Sequence, residues 1–167
     1  EDFTMKNAFR CALAGSLMLG ALSYHPVTAS AAPSCPSGAD QTLSDFPALS
    51  YEITAKHKPE LDALANKVYA LTKSGKPVRK IRIVGHAAVW GQSNYQQTSE
   101  YRAAVVQAEL TSRFANLGID YSKTQITTEG MATACPVATN GTQAGRAKNR
   151  RVEVWLTAAQ KPPPPPP

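Results

Sequence analysis

The residue types that most often carry chemistry are few in this chain and widely spaced. It has three histidines, and none has a cysteine or carboxylate partner at the spacing of a metal site. No serine, histidine and aspartate set has the spacing of a hydrolase motif. Glycan cleavage would need two carboxylates across a groove, and the sequence alone gives no such geometry. We therefore expect a non-catalytic protein with no metal site and no cofactor.

The first 31 residues have the pattern of an export signal. A basic start after Met5 is followed by an apolar run over residues 11–22, which is shorter than the roughly 20 residues that a membrane-spanning helix needs. Residues 29–31 offer a small-x-small cleavage pattern. We expect residues 1–31 to be removed and interpret the four residues before Met5 as a scar that precedes the natural start. A membrane anchor is the alternative.

Cys35 and Cys135 are the two cysteines that remain after this cleavage. Disulfides form and persist outside the cytoplasm, so we predict that the two cysteines pair and tie the N-terminal tail to a late loop. For a closed loop of about 100 residues, the chain-entropy model assigns roughly 4.7 kcal/mol of stabilisation. Free thiols or pairing between chains are the alternatives. A lipid on Cys35 is a weaker option, because residues 32–34 match a lipoprotein acceptor site poorly.

The exported part of the chain is basic. It has 16 lysines and arginines against 10 aspartates and glutamates, so its net charge is +6. A basic surface favours an anionic partner, although solubility alone also explains many such surfaces. Export argues against nucleic acid as that partner and leaves the carboxylates of the cell wall and the lipid surface. We expect membrane association only through an anchor or a partner.

The elements that must position any site follow from hydrophobic periodicity. Apolar residues at helical spacing predict helices over residues 59–73 and 97–117. Branched and aromatic residues predict four strands. They are residues 49–54, 79–85, 125–131 and a last strand marked by Val152, Val154 and Leu156, with a turn-rich loop up to about Lys148 before it.

This order predicts one domain of the α+β class, with a mixed sheet and two helices packed on one face in a βαβαβ-β arrangement. The predicted organisation is a signal peptide over 1–31, an irregular lead-in over 32–48, the domain over 49–158 and a proline-rich tail over 159–167. The six closing prolines adopt only extended polyproline II, so the tail is interpreted as a linker or an end segment. Recognition of the tail by a proline-binding module is the alternative.

Three sequence motifs follow one another between Ile81 and Val154. They are Gly85-His86 at a strand end, Ser99-Glu100-Tyr101-Arg102-Ala103 at a helix start, and Asn149-Arg150-Arg151-Val152 before the last strand. Together they resemble the OmpA-like peptidoglycan-binding domain. The resemblance implies a non-catalytic module of the Gram-negative cell envelope that resides in the periplasm, with possible association with the outer membrane.

The resemblance also implies a ligand, the diaminopimelate residue of the peptidoglycan stem peptide. The family binds the free carboxylate of that residue with the arginine at the helix start, and the matching residue here is Arg102. A guanidinium suits this role because it binds a carboxylate through two parallel hydrogen bonds. It binds the ammonium with an aspartate whose position is occupied by Ala88. Losing a charged hydrogen bond typically costs about 1.5 to 3 kcal/mol, so we expect weakened binding.

Other residues are expected to support this site. The candidates are Asn94, Tyr95, Ser99, Arg150 and His86. Simpler interpretations remain open: Arg102 pairs with Glu100, His86 is structural, and the tryptophans Trp90 and Trp155 fold over the core instead of stacking on sugars. The alternative function is a periplasmic scaffold that keeps the fold, has lost wall binding and contacts an envelope protein.

Overall fold

The computed structural model describes residues 34–91 and 94–160. The predicted signal peptide and the proline run lie outside these residues. The elements, in chain order, are β1 (Gln41–Ser44), α1 (His57–Lys73), β2 (Val78–Gly85), α2 (Tyr95–Asn116), β3 (Gln125–Gly130), α3 (Gln143–Asn149) and β4 (Arg151–Ala158). The predicted α+β class is confirmed, and within the described residues no helix has the length and apolarity to cross a membrane.

The four strands form one mixed sheet in the order β1-β4-β2-β3. Strand β4 runs antiparallel to both of its neighbours, and β2 and β3 are parallel, with Gly85 opposite Gly130. The parallel pair needs a crossover connection, which α2 supplies. The sheet therefore brings the carboxyl ends of β2 and β3 together beside the first turn of α2.

The two long helices bury their apolar stripes against the sheet. In α2, the residues at helical spacing Ala103, Val106, Leu110 and Phe114 are all buried, and Leu117, just after the helix, is partly buried. They share the core with residues from α1 and the strands. At the N-terminus of α2, the Asn94 side chain accepts a hydrogen bond from the backbone N–H of Gln97 and so satisfies a free helix donor.

The predicted strand at 49–54 is wrong. These residues have no strand pairing, and the first strand is instead β1, which lies inside the segment predicted to be an irregular lead-in. The alternation of Tyr51 and Ile53 spans only one apolar pair, which is too short to identify a strand reliably. Strand β1 buries Leu43 opposite Val152, and Phe46 is fully buried just after it. The core therefore begins before residue 49.

The predicted loop before β4 also contains an element that the sequence analysis missed. Helix α3 has seven residues and is capped by Thr142, whose side chain accepts a hydrogen bond from the backbone N–H of Gly145. Its composition is Gln, Ala, Gly, Arg, Ala, Lys and Asn, which offers no apolar stripe. A helix of two turns without such a stripe gives little periodic signal.

Candidate functional site

The first turns of α2 lie directly on the ends of β2 and β3 because two glycines leave room for them. A Cβ atom at Gly85 would lie 1.9 Å from the backbone oxygen of Ser99, and one at Gly130 would lie 2.6 Å from the Ser99 Oγ. Ser99 is fully buried, and its Oγ accepts a hydrogen bond from the Ala132 N–H at 3.0 Å. Ser99, a predicted ligand residue, thus fixes α2 against the turn that follows β3.

This arrangement places Arg102 beneath the segment that joins β1 to α1. Its side chain is 1% exposed. The guanidinium donates from Nε to the Ser50 carbonyl at 2.8 Å, from Nη1 to the His86 carbonyl at 2.9 Å and from Nη2 to the Pro47 carbonyl at 3.0 Å. Burial, together with repulsion from Arg150, lowers the pKa of Arg102 to about 10. The group therefore remains charged at neutral pH.

Among the residues that the structure describes, the positive charge of Arg102 has no carboxylate partner. Within residues 34–91 and 94–160, every ion pair joins other residues. Glu100, the alternative partner, instead accepts a hydrogen bond from the Gln96 amide at 2.7 Å. A buried charge without a counter-charge is costly. Since a guanidinium has five N–H bonds and three are engaged with carbonyls, two donors remain for an anion.

A small hollow borders Arg102. Its lining consists of Ala48, Leu49, Ala87, Ala88, Trp90, Tyr95, Thr98, Arg102 and Arg150. Its volume is about 10 Å³, which is close to the minimum that accommodates one water molecule. Ala88 is among these lining residues and is 6% exposed. A ligand larger than water would need residues 47–50 to move outward.

Two further predicted residues reach this hollow. The Tyr95 hydroxyl accepts from the Trp90 N–H at 2.9 Å and donates to the Gly91 carbonyl at 2.6 Å, so it holds the loop that follows β2. Arg150 donates from Nε to the Phe46 carbonyl at 2.5 Å. Burial lowers the pKa of Arg150, and the negative charge of Asp45 partly opposes this effect. The hollow is therefore lined by two guanidinium groups.

The structure separates Asn94 and His86 from the hollow lining. Asn94 caps α2, as described above. His86 is 1% exposed, and its Nε2 lies 3.0 Å from a carboxylate oxygen of Glu153 on β4. Only the backbone of His86 faces the site, where its carbonyl accepts from Arg102. The simpler interpretation of His86, a structural histidine, agrees with this placement.

The His86 side chain belongs to a second polar network that includes the disulfide loop. Burial would raise the pKa of Glu153, but hydrogen bonds from His86 and Arg151 outweigh it and lower that pKa. Arg151 also donates to the Cys135 carbonyl at 3.1 Å. The predicted Cys35–Cys135 disulfide is present, with Cα atoms 5.5 Å apart. It joins the N-terminal segment to the loop between β3 and α3.

The two tryptophans differ in their surroundings. Trp90 is 49% exposed, and the Arg146 guanidinium lies 4.3 Å from its ring centroid. Trp155 is half-buried, and its indole N–H donates to the Ser37 carbonyl at 3.0 Å. Trp90 thus borders the hollow with an accessible ring edge, while Trp155 fastens the N-terminal segment to the sheet.

The sequence analysis missed the segment that closes the site. Residues 46–50 supply three carbonyl acceptors to Arg102 and Arg150. Backbone carbonyls carry no side-chain signal, so a motif search does not find them. Two residues have positive φ here: Asp45, just before the segment, at 68°, and Leu49, within it, at 54°. A non-glycine residue in this region is uncommon, and no sequence pattern here marks it.

Comparisons with known proteins identify the family of this fold. The model of the OmpA family matches residues 46–150. The chain belongs to the OmpA family. This confirms the resemblance found in the three sequence motifs.

Relatives of this OmpA-family domain include two curated proteins. It is 38% identical to outer membrane protein A of Bordetella avium over 109 residues, which cover 62% of this chain and 50% of the relative. It is 28% identical to the putative lipoprotein YfiB of Escherichia coli K12 over 107 residues, covering 64% and 61%. The chain therefore spans about half to three-fifths of the length of these relatives.

Solved structures share the fold of this OmpA-family domain. The periplasmic domain of Helicobacter pylori MotB (residues 97–256) has a TM-score of 0.57 at 20% identity, covering 76% of this chain and 90% of that one. The peptidoglycan-associated lipoprotein of Burkholderia pseudomallei has a TM-score of 0.53 at 21% identity, covering 70% and 90%. The cell wall anchor of the T6SS of Pseudomonas aeruginosa has a TM-score of 0.51 at 28% identity, covering 71% and 80%.

Proposed function

We propose that this OmpA-family domain is a non-catalytic cell-wall-binding module of the periplasm that takes a carboxylate of the peptidoglycan stem peptide at Arg102. The observation that carries the proposal is a buried guanidinium without a carboxylate partner among the described residues, beside a hollow that a second guanidinium also lines. Buried charges in proteins are normally paired. An anion entering the hollow would supply the missing partner.

The diaminopimelate residue of the stem peptide fits this chemistry in part. Its carboxylate suits the two N–H donors of Arg102 that the carbonyls leave free, and Arg150 adds a second positive charge. For its ammonium group, none of the residues that line the hollow offers a carboxylate, and position 88 is an alanine. With about 1.5 to 3 kcal/mol missing for the ammonium, we expect affinity for the wall to be roughly ten- to a hundred-fold below that of a domain with an aspartate at position 88.

Similar proteins support an envelope role. One of the similar structures is a cell wall anchor, and the curated relatives include outer-membrane proteins and lipoproteins. The names of these proteins point to the bacterial envelope, in agreement with the export signal that the sequence analysis predicts. We accordingly propose a periplasmic location, with contact to the outer membrane through an anchor or a partner.

A second candidate function is an envelope scaffold that has lost wall binding. The observation in its favour is the closure of the site, since three carbonyls already hold Arg102 and the hollow has room for about one water. In this case Arg102 would serve only to fasten residues 47–50 to α2. The two candidates differ in whether residues 47–50 open for a ligand.

Sedimentation with purified diaminopimelate-type sacculi distinguishes the candidates. The mature protein is compared with Arg102→Gln, Arg150→Gln and Ala88→Asp, and Arg79→Gln serves as a charge-matched control on an exposed position of β2. Because Arg102 is buried, thermal melting must first show that Arg102→Gln is folded; Arg150→Gln, which is half-buried, tests the same pocket if it is not.

The wall-binding proposal expects the native protein and Arg79→Gln to pellet, the Arg102 and Arg150 variants to remain in solution, and Ala88→Asp to pellet more strongly. Equal pelleting of all variants would exclude the hollow as the binding site. If only Ala88→Asp pellets, even when the sacculus concentration is raised a hundred-fold, the native domain has lost wall recognition and the scaffold candidate is favoured.

A further inference from the structure

Two features of this chain have no part in wall binding. One is the run of six prolines after Lys161. The other is an exposed apolar stripe on α2, at Tyr101, Ala104, Val105 and Ala108, which is separate from the stripe that faces the core. Apolar residues at i, i+3, i+4 and i+7 normally face a partner. Here, in the part of the chain that the structure describes, they border open grooves.

These grooves lie between α2 and the segment that precedes α1. Tyr51 and Tyr101 form their aromatic wall, with ring centroids 5.2 Å apart in an edge-to-face arrangement at 67°. The two rings are 48% and 46% exposed. On either side of the pair lie hollows of about 300 Å³ and 400 Å³ that share Tyr51, Val105 and Ala108. We call the two hollows and the residues that line them the tyrosine groove. Because the hollows share Val105, the groove is continuous past this residue.

We propose that the tyrosine groove binds a proline-rich segment in the polyproline II conformation, namely residues 161–167 of a second copy of this chain. Grooves lined by aromatic rings are the usual receptors for such segments, because the extended helix is already ordered and loses little entropy on binding. The small side chains of Ala104 and Ala108 let a proline ring approach the helix closely. Six prolines give two turns of the extended helix, about 19 Å long.

Charge supports this occupant. Glu52 borders the groove at an exposed position, and within the described residues it forms no ion pair. Glu109 lies at the same end and shares its charge with Arg113. The proline run is preceded by Lys161. A lysine at the start of the bound segment would complement Glu52 and fix the direction in which the segment lies.

The distance from the end of β4 to the groove favours binding of the proline run to the groove of a second copy over binding to the groove of its own chain. Strand β4 ends at Ala158 beside Val78, where β2 begins, whereas Tyr101 lies near Gly85 at the other end of β2. Gly85 lies seven residue steps along the strand from Val78, a span of about 23 Å. At about 3.1 Å per residue in polyproline II, roughly seven residues after Ala158 would be needed to cross this span. Few of the six prolines would then lie in the groove of the same chain.

An NMR titration tests the groove directly. The receptor is the full mature chain with Pro164→Gly and Pro165→Gly, which interrupts its own proline run, and the probe is a synthetic peptide of residues 160–167. Saturable shifts of the backbone amides of Tyr51, Tyr101 and Ala108 are expected. Tyr101→Ala should weaken binding about ten-fold or more, as expected for an aromatic hot spot.

The matched control for Tyr101→Ala is Tyr69→Ala, which removes a 38% exposed tyrosine from α1 and should leave peptide affinity unchanged. Glu52→Lys should weaken binding if Lys161 pairs with it. Sedimentation velocity of the unsubstituted chain should show association that rises with concentration and disappears with Pro164→Gly and Pro165→Gly.

Absent shifts at the groove, or equal affinity for the native chain and Tyr101→Ala, would overturn the proposal. A chain that stays monomeric while its own tail contacts Tyr101 would overturn the second copy as the occupant. None of these results depends on peptidoglycan, and Tyr101→Ala should leave binding to sacculi intact. Failure here and failure of wall binding are therefore distinguishable.

Discussion

Replacing Gly85 by alanine tests the packing that positions Arg102. The added Cβ would lie 1.9 Å from the Ser99 backbone oxygen and 3.2 Å from the Ala103 backbone N. Real Cβ atoms essentially never approach closer than 3.0 Å, so α2 or β2 must shift by roughly 1 Å. The obstructing atoms are backbone atoms in regular elements, and no side-chain rotation relieves the contact.

Overpacking of this kind typically costs about 1 to 3 kcal/mol, and we expect the upper part of this range because the backbone must move. The assay is urea denaturation followed by far-UV circular dichroism, with the free energy of unfolding taken from the midpoint and slope. Gly141→Ala is the matched control, since its Cβ would meet only the Thr139 hydroxyl at 3.4 Å, an ordinary contact, and should change stability by less than about 0.5 kcal/mol.

A change below about 0.5 kcal/mol for Gly85→Ala, no larger than an ordinary surface substitution, would refute the close approach of α2 to the sheet. Equal losses for Gly85→Ala and Gly141→Ala would refute it as well, because only the first site is crowded by backbone atoms.

Three further changes have defined outcomes in the same denaturation assay. Reduction of the Cys35–Cys135 disulfide should lower the free energy of unfolding by about 2 to 5 kcal/mol; an unchanged midpoint with dithiothreitol would contradict the bridge. Leu110→Ala should cost about 2 to 5 kcal/mol, because Leu110 is 1% exposed in the core; a cost typical of the surface would place α2 differently. The folded-state pKa of Glu153 lies below its ordinary value of 4.5, so its contribution should be present above that pH and lost as the pH falls through the folded-state pKa. Glu153→Gln should flatten this acid limb, and an identical pH profile for both proteins would show that Glu153 does not contribute.

The long elements of the fold could be predicted because each carries several turns or alternations of apolar residues. Helix α2 shows this best, since its core stripe from Ala103 to Phe114 repeats over three turns and identifies the buried face. Strand β1 was not predicted because it has only four residues, of which only Leu43 is buried. Its pairing with β4 is a contact between distant parts of the chain, which local periodicity does not record.

The candidate site also has a part that the sequence could predict and a part that it could not. Arg102, Ala88 and Arg150, which the sequence analysis singled out, all line one hollow. The partners of Arg102 could not be predicted, because they are carbonyls of Pro47, Ser50 and His86, and any residue type supplies a carbonyl. Similarly, His86 lies in a motif, yet only its backbone faces Arg102. A motif identifies which residues assemble, whereas the direction of each side chain depends on the surrounding packing.

The most direct measurement of the central claim is an NMR titration of the mature protein with a diaminopimelate-containing tripeptide, observed at the Nε–H of Arg102. The account predicts a saturable shift of this resonance, together with the amides of Ala87 and Ala88, as the carboxylate engages the guanidinium. The same titration of Ala88→Asp should saturate at lower tripeptide concentration. An Arg102 resonance that stays unchanged at tripeptide concentrations about a thousand-fold above the dissociation constant of Ala88→Asp would contradict the claim, because the native site should be largely occupied there even with a hundred-fold lower affinity.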